Sequence, residues 1–135
     1  MDILSAMDIS ASGMKAQGSR IRVISQNIAN ASTAANTPNA EPYQRKTIVF
    51  KNVLDRATGV DKVETDRIIQ GEGEFKLKYQ PSHPGADENG YIRLPKINTL
   101  IESTDMREAQ RSYEANLGMM QISKGMLSKT IGLLE

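Results

Sequence analysis

The sequence predicts a mainly α-helical chain. Two long terminal helices pack as a coiled-coil-like hairpin, and a small antiparallel β or extended segment lies between them. Three observations carry this. Large apolar residues recur at seven-residue spacing at both ends: Met7, Met14, Ile21 and Ile28, then Met106, Tyr113, Met120, Leu127 and Leu134. Such a repeat keeps its members on one narrow helical face, the arrangement by which helices wind against one another. A smaller-residue series runs beside each stripe, Ala11, Gly18, Ser25 and Ser32 at one end and Ala109, Asn116, Ser123 and Thr130 at the other. Large and small positions therefore alternate, as knobs-into-holes packing favours. In the middle the apolar period changes from seven to two. The expected divisions are an N-terminal helical region over residues 1–34, a middle region over 35–100 and a C-terminal helical region over 101–135.

The first helix is expected from residue 3 to about residue 30, with Asp2 as a capping residue and Ser5 where a capping-box glutamate would stand. Gly13 and Gly18 each cost about 1 kcal/mol relative to Ala in a helix interior. Gly18 falls in the small series, which points to close approach of another helix. Asn30 to Pro42 contains no large apolar residue and reads as an exposed loop. Gln44 to Leu54 carries the β-prone run Thr47-Ile48-Val49-Phe50. Phe75, Leu77 and Tyr79 alternate with Lys76 and Lys78, giving a strand with one apolar and one basic face. Tyr91 to Leu94 is a second short strand, and the loop between them ends in Asn89-Gly90, a strong turn signal. Gly71 and Gly73 mark a turn before the first of these strands. The last helix is expected to start near Thr104 or Asp105, where Asp105 and Glu108 have capping-box spacing. Gly118, Gly125 and Gly132 form a further seven-residue series on the side opposite the apolar stripe. They cost roughly 2–3 kcal/mol of helix propensity together, and their spacing marks a candidate close-packing face.

Composition narrows the function. The chain has 135 residues, 39% of them hydrophobic and 4% aromatic, with no Trp and two Phe. Helices of this length span ~40–45 Å, more than a compact core of this size can cover, so an isolated subunit is marginal and partner chains complete the burial. The 17 basic and 16 acidic residues are interspersed, which argues against a nucleic-acid footprint. There is no cysteine, hence no disulfide or thiolate chemistry. No apolar run approaches the ~20 residues needed to span a bilayer, and Met1 to Ser12 lacks the regions of a signal peptide. His83 is the one histidine, in a Pro/Gly loop with Asp87 and Glu88, too few fixed groups for a metal or acid–base centre. Gly71-Glu72-Gly73 lacks the continuation of a phosphate loop. No catalytic residue, cofactor or metal is expected, and the chain reads as an assembly subunit and not as an enzyme.

Several stretches carry a resemblance. Ser12-Gly13-Met14-Lys15-Ala16-Gln17, Arg20, and Ser25-Gln26-Asn27-Ile28-Ala29-Asn30 resemble the N-terminal signature of the axial proteins of the bacterial flagellum, the rod, hook and hook-associated proteins. Arg111-Ser112-Tyr113-Glu114-Ala115-Asn116-Leu117 resembles their C-terminal signature. Pro42-Tyr43-Gln44-Arg45-Lys46 and the loop Tyr79 to Tyr91 are similar to the proximal-rod members, and the loop speaks against the alternative of a different proximal-rod subunit. On this resemblance Ser25, Asn27, Ile28, Ala29, Asn30, Tyr113, Glu114, Ala115 and Asn116 form the rod-type motif, and the terminal helices form an axial core. It implies a structural rod subunit in the periplasm, exported unfolded through the flagellar type III apparatus without a cleaved signal. It implies helical polymerisation around a central channel, torque transmission from motor to hook, and lining of part of the export path. The implied partners are further copies, other rod proteins of the FlgB, FlgF and FlgG types, a basal-body adaptor of the FliE type, the export apparatus and the inner-membrane ring.

Overall fold

A computed structural model describes residues 2–38 and 40–133. Its elements in chain order are α1 (Ile3–Asn30), β1 (Lys46–Asp55), β2 (Val60–Gln70), β3 (Phe75–Tyr79), β4 (Tyr91–Pro95) and α2 (Thr99–Gly132). The strands form two separate two-stranded sheets, β1 with β2 and β3 with β4. Two long helices and a small antiparallel β region in the middle are thus present. The chain divides into two compact units, each assembled from non-contiguous segments.

The first unit comprises Met1–Ile21, Ile48–Arg67 and Arg107–Glu135. Here α1 and α2 run antiparallel: Gly13 faces Asn116, and one step on Arg20 pairs with Glu108 at 3.7 Å. A Cβ at Gly13 would lie 2.8 Å from Asn116 Nδ2, so any side chain there has to displace that amide. The β1–β2 ribbon is tied to α1 by Lys62, whose ammonium donates to Asp55 at 2.7 Å and to Asp8 at 3.3 Å. The backbone N–H of Val63 also donates to Ser12 Oγ, at 3.4 Å. The ribbon's turn closes where Gly59 N–H meets the Asp55 carbonyl at 2.7 Å, and Gly59 takes the left-handed φ of 67° that a side chain would resist. The sequence reading contained no strand over Val60–Gln70. Its charged run hides the alternation, and pairing with β1 imposes the strand instead.

The second unit comprises Arg22–Thr47 and Ile68–Met106. Its buried apolar residues are Val23, Ile24 and Ile92. In the antiparallel pair β3–β4, Lys78 stands opposite Ile92 and Tyr79 opposite Tyr91. The face that carries Ile92 is therefore the inner one. The alternating apolar face points to solvent, with Leu77 63% and Tyr79 64% exposed. The connecting loop is held by its own backbone, Gln80 N–H to Gly90 O at 2.8 Å and Gly90 N–H to Asp87 O at 2.9 Å, with Gly90 at φ 82°. Helix α2 begins at Thr99, earlier than the sequence suggests. Asn98 Oδ1 accepts from Leu100 N–H at 3.0 Å and from Ile101 N–H at 3.4 Å, so the cap is Asn98 and Asp105 lies inside the helix.

Candidate functional site

The deepest polar contacts of the second unit surround two side chains, Asn27 near the end of α1 and Glu102 in the first turn of α2, each only 1% exposed. Asn27 uses its full hydrogen-bonding capacity. Its Nδ2 donates to the Lys46 carbonyl at 2.8 Å and to Glu102 Oε2 at 3.0 Å. Its Oδ1 accepts from the Lys46 N–H and from the Tyr43 hydroxyl, both at 2.9 Å. The carboxamide thus pairs with both backbone groups of Lys46, as a neighbouring strand would, and pins the start of β1 to α1. Glu102 Oε1 meets Arg45 Nε at 2.6 Å, and Arg45 Nη1 continues to Thr47 Oγ1 at 3.0 Å. The Arg45 side chain is 40% exposed, so its charge keeps partial hydration while the carboxylate has none to speak of. Burial, then the Glu102 carboxylate, push the Tyr43 phenol above its ordinary pKa, which keeps it a neutral donor to Asn27.

Asn27 belongs to the rod-type motif; Glu102 was missed by sequence reasoning. A signal for it exists. Glu102, Ala109, Asn116 and Ser123 are seven residues apart, and Ala109, Ser123 and Glu102 are the buried residues of α2. The acidic residue therefore stands one step before the small series that the sequence singles out.

The other sequence-derived positions fall as follows. Met7, Met14, Ile21, Ile28, Met106, Met120 and Leu127 are half-buried in the single chain, and Tyr113 is exposed. Leu134 lies outside the described residues. The small series of α1 does not face inward. Ala11, Ser25 and Ser32 are exposed, and the fully buried positions of α1 are Ser10, Ala16, Val23, Ile24 and Asn27. Burial there follows the contacts that α1 actually makes, on a face displaced from the one the small residues suggest. In the rod-type motif, Asn30 caps backward onto Gln26 O at 2.8 Å, Ile28 and Asn116 are half-buried, and Ala29, Glu114 and Ala115 are exposed. Gly118 is half-buried and Gly125 and Gly132 are exposed, and a Cβ on any of them would meet nothing within 4 Å. His83 Nδ1 accepts from Gly85 N–H at 3.0 Å, a turn contact. Among the described residues no three potential metal ligands cluster, and no helix is long and apolar enough to cross a membrane.

Alongside this geometry stand the likenesses to known proteins. Residues 7–34 match the family described as flagella basal body rod protein, and residues 88–133 match the flagellar basal body rod FlgEFG protein C-terminal family. The chain is 44% identical to the flagellar basal-body rod protein FlgC of Agrobacterium fabrum, over all of this chain and 98% of the relative. It is 40% identical to FlgC of Aquifex aeolicus over 96% of each chain. Against FlgC of Salmonella typhimurium the identity is 35% over 98% of each.

Proposed function

The chain belongs to the FlgC family of flagellar basal-body rod proteins and is a structural subunit of the rod, and from that membership we propose how its parts serve the assembly. Residues 1–34 and 101–135 form a coiled-coil-like α-helical hairpin, the axial core, and residues 35–100 form a brace that contacts neighbouring subunits. Copies of this chain and other rod proteins, of the FlgB, FlgF and FlgG types, join helically around a central channel. The adaptor of the FliE type, the export apparatus and the inner-membrane ring meet the same structure. The polymer carries torque from the motor to the hook and lines part of the export path in the periplasm, which the subunit reaches without a cleaved signal.

One observation supports this reading most directly. Along α2 the single chain leaves Leu117, Met119, Ile122, Met126 and Ile131 exposed, the last four of them by more than half. Of these, Met119, Ile122 and Met126 stand at three- and four-residue spacing and share one face of α2, and an exposed apolar face of this kind marks a surface that another chain covers. Full burial of one such side chain contributes roughly 1.5–3 kcal/mol, and about half of each remains exposed, so the unmet burial is of the same order as the stability of a small chain. A photo-reactive residue at Ile122 or Met126 tests it. Cross-links to rod proteins in isolated basal bodies are expected. Their absence from both positions, in cells that swim, refutes the placement of α2 in the rod interface.

A further inference from the structure

The two terminal helices carry a packing ambiguity. The stripes Met7, Met14, Ile21, Ile28 and Met106, Tyr113, Met120, Leu127 both repeat every seven residues. Sliding one helix along the other by seven residues therefore brings each large residue to a position of the same kind. Apolar packing alone discriminates weakly between such registers. The observed facing pairs, Gly13 with Asn116, Arg20 with Glu108 and Asn27 with Glu102, belong to one of them.

We propose that Glu102 is a positioning residue that selects this register, by fitting a polar seat made of Asn27 and Arg45. Asn27 is fixed independently of α2, because the Lys46 backbone and the Tyr43 hydroxyl hold its carboxamide. Arg45 is fixed through Thr47. The seat thus belongs to α1 and the start of β1, and Glu102 is the group that α2 contributes. A slip of seven residues in one direction places Ala109 against Asn27. That leaves an amide hydrogen and a guanidinium without their carboxylate. A slip in the other direction carries Glu102 to Arg20 and sets Asn27 opposite the segment before Thr99, where α2 has not yet begun. Either displacement strands a buried polar group, whose unmet hydrogen bonds make the wrong register costly. A buried polar residue that specifies register at little gain in stability has the same logic in coiled coils.

The full chain supplies its own test, because it has no cysteine. Gly13→Cys combined with Asn116→Cys reports the observed register, since a Cβ at position 13 lies 3.1 Å from Asn116 Cγ, within disulfide reach. Gly13→Cys combined with Ala109→Cys or with Ser123→Cys reports the two slipped registers, each carrying Asn116→Ala so that position 13 is unobstructed. Oxidation rates and thermal midpoints are measured with Glu102 and Arg45 intact, and again with Arg45→Met and Glu102→Met together. The intact chain is expected to form the 13–116 disulfide at least tenfold faster than either slipped pair. The double apolar variant is expected to keep or raise the thermal midpoint while that preference falls below threefold. Retention of the tenfold preference in the double variant overturns the proposal. So does a lowered midpoint with all three disulfides slowed alike, which is the outcome of a merely stabilising contact. Failure of the intact chain to form the 13–116 disulfide overturns it as well.

Discussion

Gly13→Ala is a substitution whose sign depends on one neighbour. In an open helix interior it stabilises by about 1 kcal/mol, because glycine has more backbone freedom to lose. At position 13 the added Cβ would stand 2.8 Å from Asn116 Nδ2, and that amide already donates to the Ser112 carbonyl at 3.0 Å. The amide has to swing away. Losing its hydrogen bond costs about 0.5–1.5 kcal/mol, and a displaced rotamer costs about 0.5–1.5 kcal/mol more. The balance is a net destabilisation of about 0–2 kcal/mol, set against the propensity gain. In an Asn116→Ala background the obstruction is gone, and Gly13→Ala should stabilise by about 1 kcal/mol. The coupling between the two sites is then about 1–3 kcal/mol. Urea unfolding of the four chains in the double-mutant cycle, followed by circular dichroism, measures it. Additivity within about 0.5 kcal/mol, with Gly13→Ala stabilising in both backgrounds, refutes the close approach at this position.

Other expectations follow from particular contacts. Hydrogen bonds from Lys62, then from the Ala57 amide, hold the Asp55 carboxyl below its ordinary pKa, and bonds to Asp55 and then Asp8 hold Lys62 above its own. The Asp55 contribution is fully present above the ordinary aspartate value and is lost as pH falls through the lowered folded one. The Lys62 contribution is fully present below the ordinary lysine value and is lost as pH rises through the raised one. Carbon NMR of the Asp55 carboxyl should show its titration moving back toward the ordinary range in Lys62→Met; an unmoved titration rejects the pairing. Leu127→Asp sets a charge on the apolar stripe and should cost about 3 kcal/mol or more of assembly, whereas His83→Ala removes one acceptor and should cost about 1 kcal/mol. Basal-body yield and motility compare the two, and equal severity means that the His83 loop has a larger role than its turn contact. Gly125→Leu should raise helicity in a C-terminal peptide by a few tenths to about 1 kcal/mol and lower rod yield; normal yield rejects a close-packing role for the glycine face.

The parts of the fold that were readable in the sequence are those where one physical signal dominates. The end of α1 near Asn30, the strands Phe75–Tyr79 and Tyr91–Pro95, and the Asn89-Gly90 turn follow from periodicity and turn chemistry acting locally. The strand Val60–Gln70 was hidden, because Asp61, Lys62, Glu64, Thr65, Asp66 and Arg67 break up the apolar alternation. Its visible signals were the Asp55-to-Gly59 turn and the apolar run before it. The start of α2 was misplaced because Asp105 and Glu108 imitate a cap, whereas Asn98 makes the one that is used. The site was half visible. Asn27 lies within a recognisable motif, but a helix start at Thr104 or Asp105 leaves Glu102 outside the periodic segment, and its partners on α1 and before β1 reveal the buried position.

Neither compact unit is built from one stretch of chain. The first draws on Met1–Ile21 and Arg107–Glu135, and the second needs residues as far along as Met106. For a polypeptide delivered N-terminus first, through a ribosomal tunnel or any narrow pore, this order of segments acts as a delay. The seat around Asn27 can begin to form when Tyr43 and Lys46 emerge, but it waits for Glu102, and the close approach at Gly13 waits for Asn116. Contacts between residues so distant in sequence are slow to close, because the loop entropy is lost before they form. Neither unit has all of its segments until residues near and beyond Met106 have been delivered.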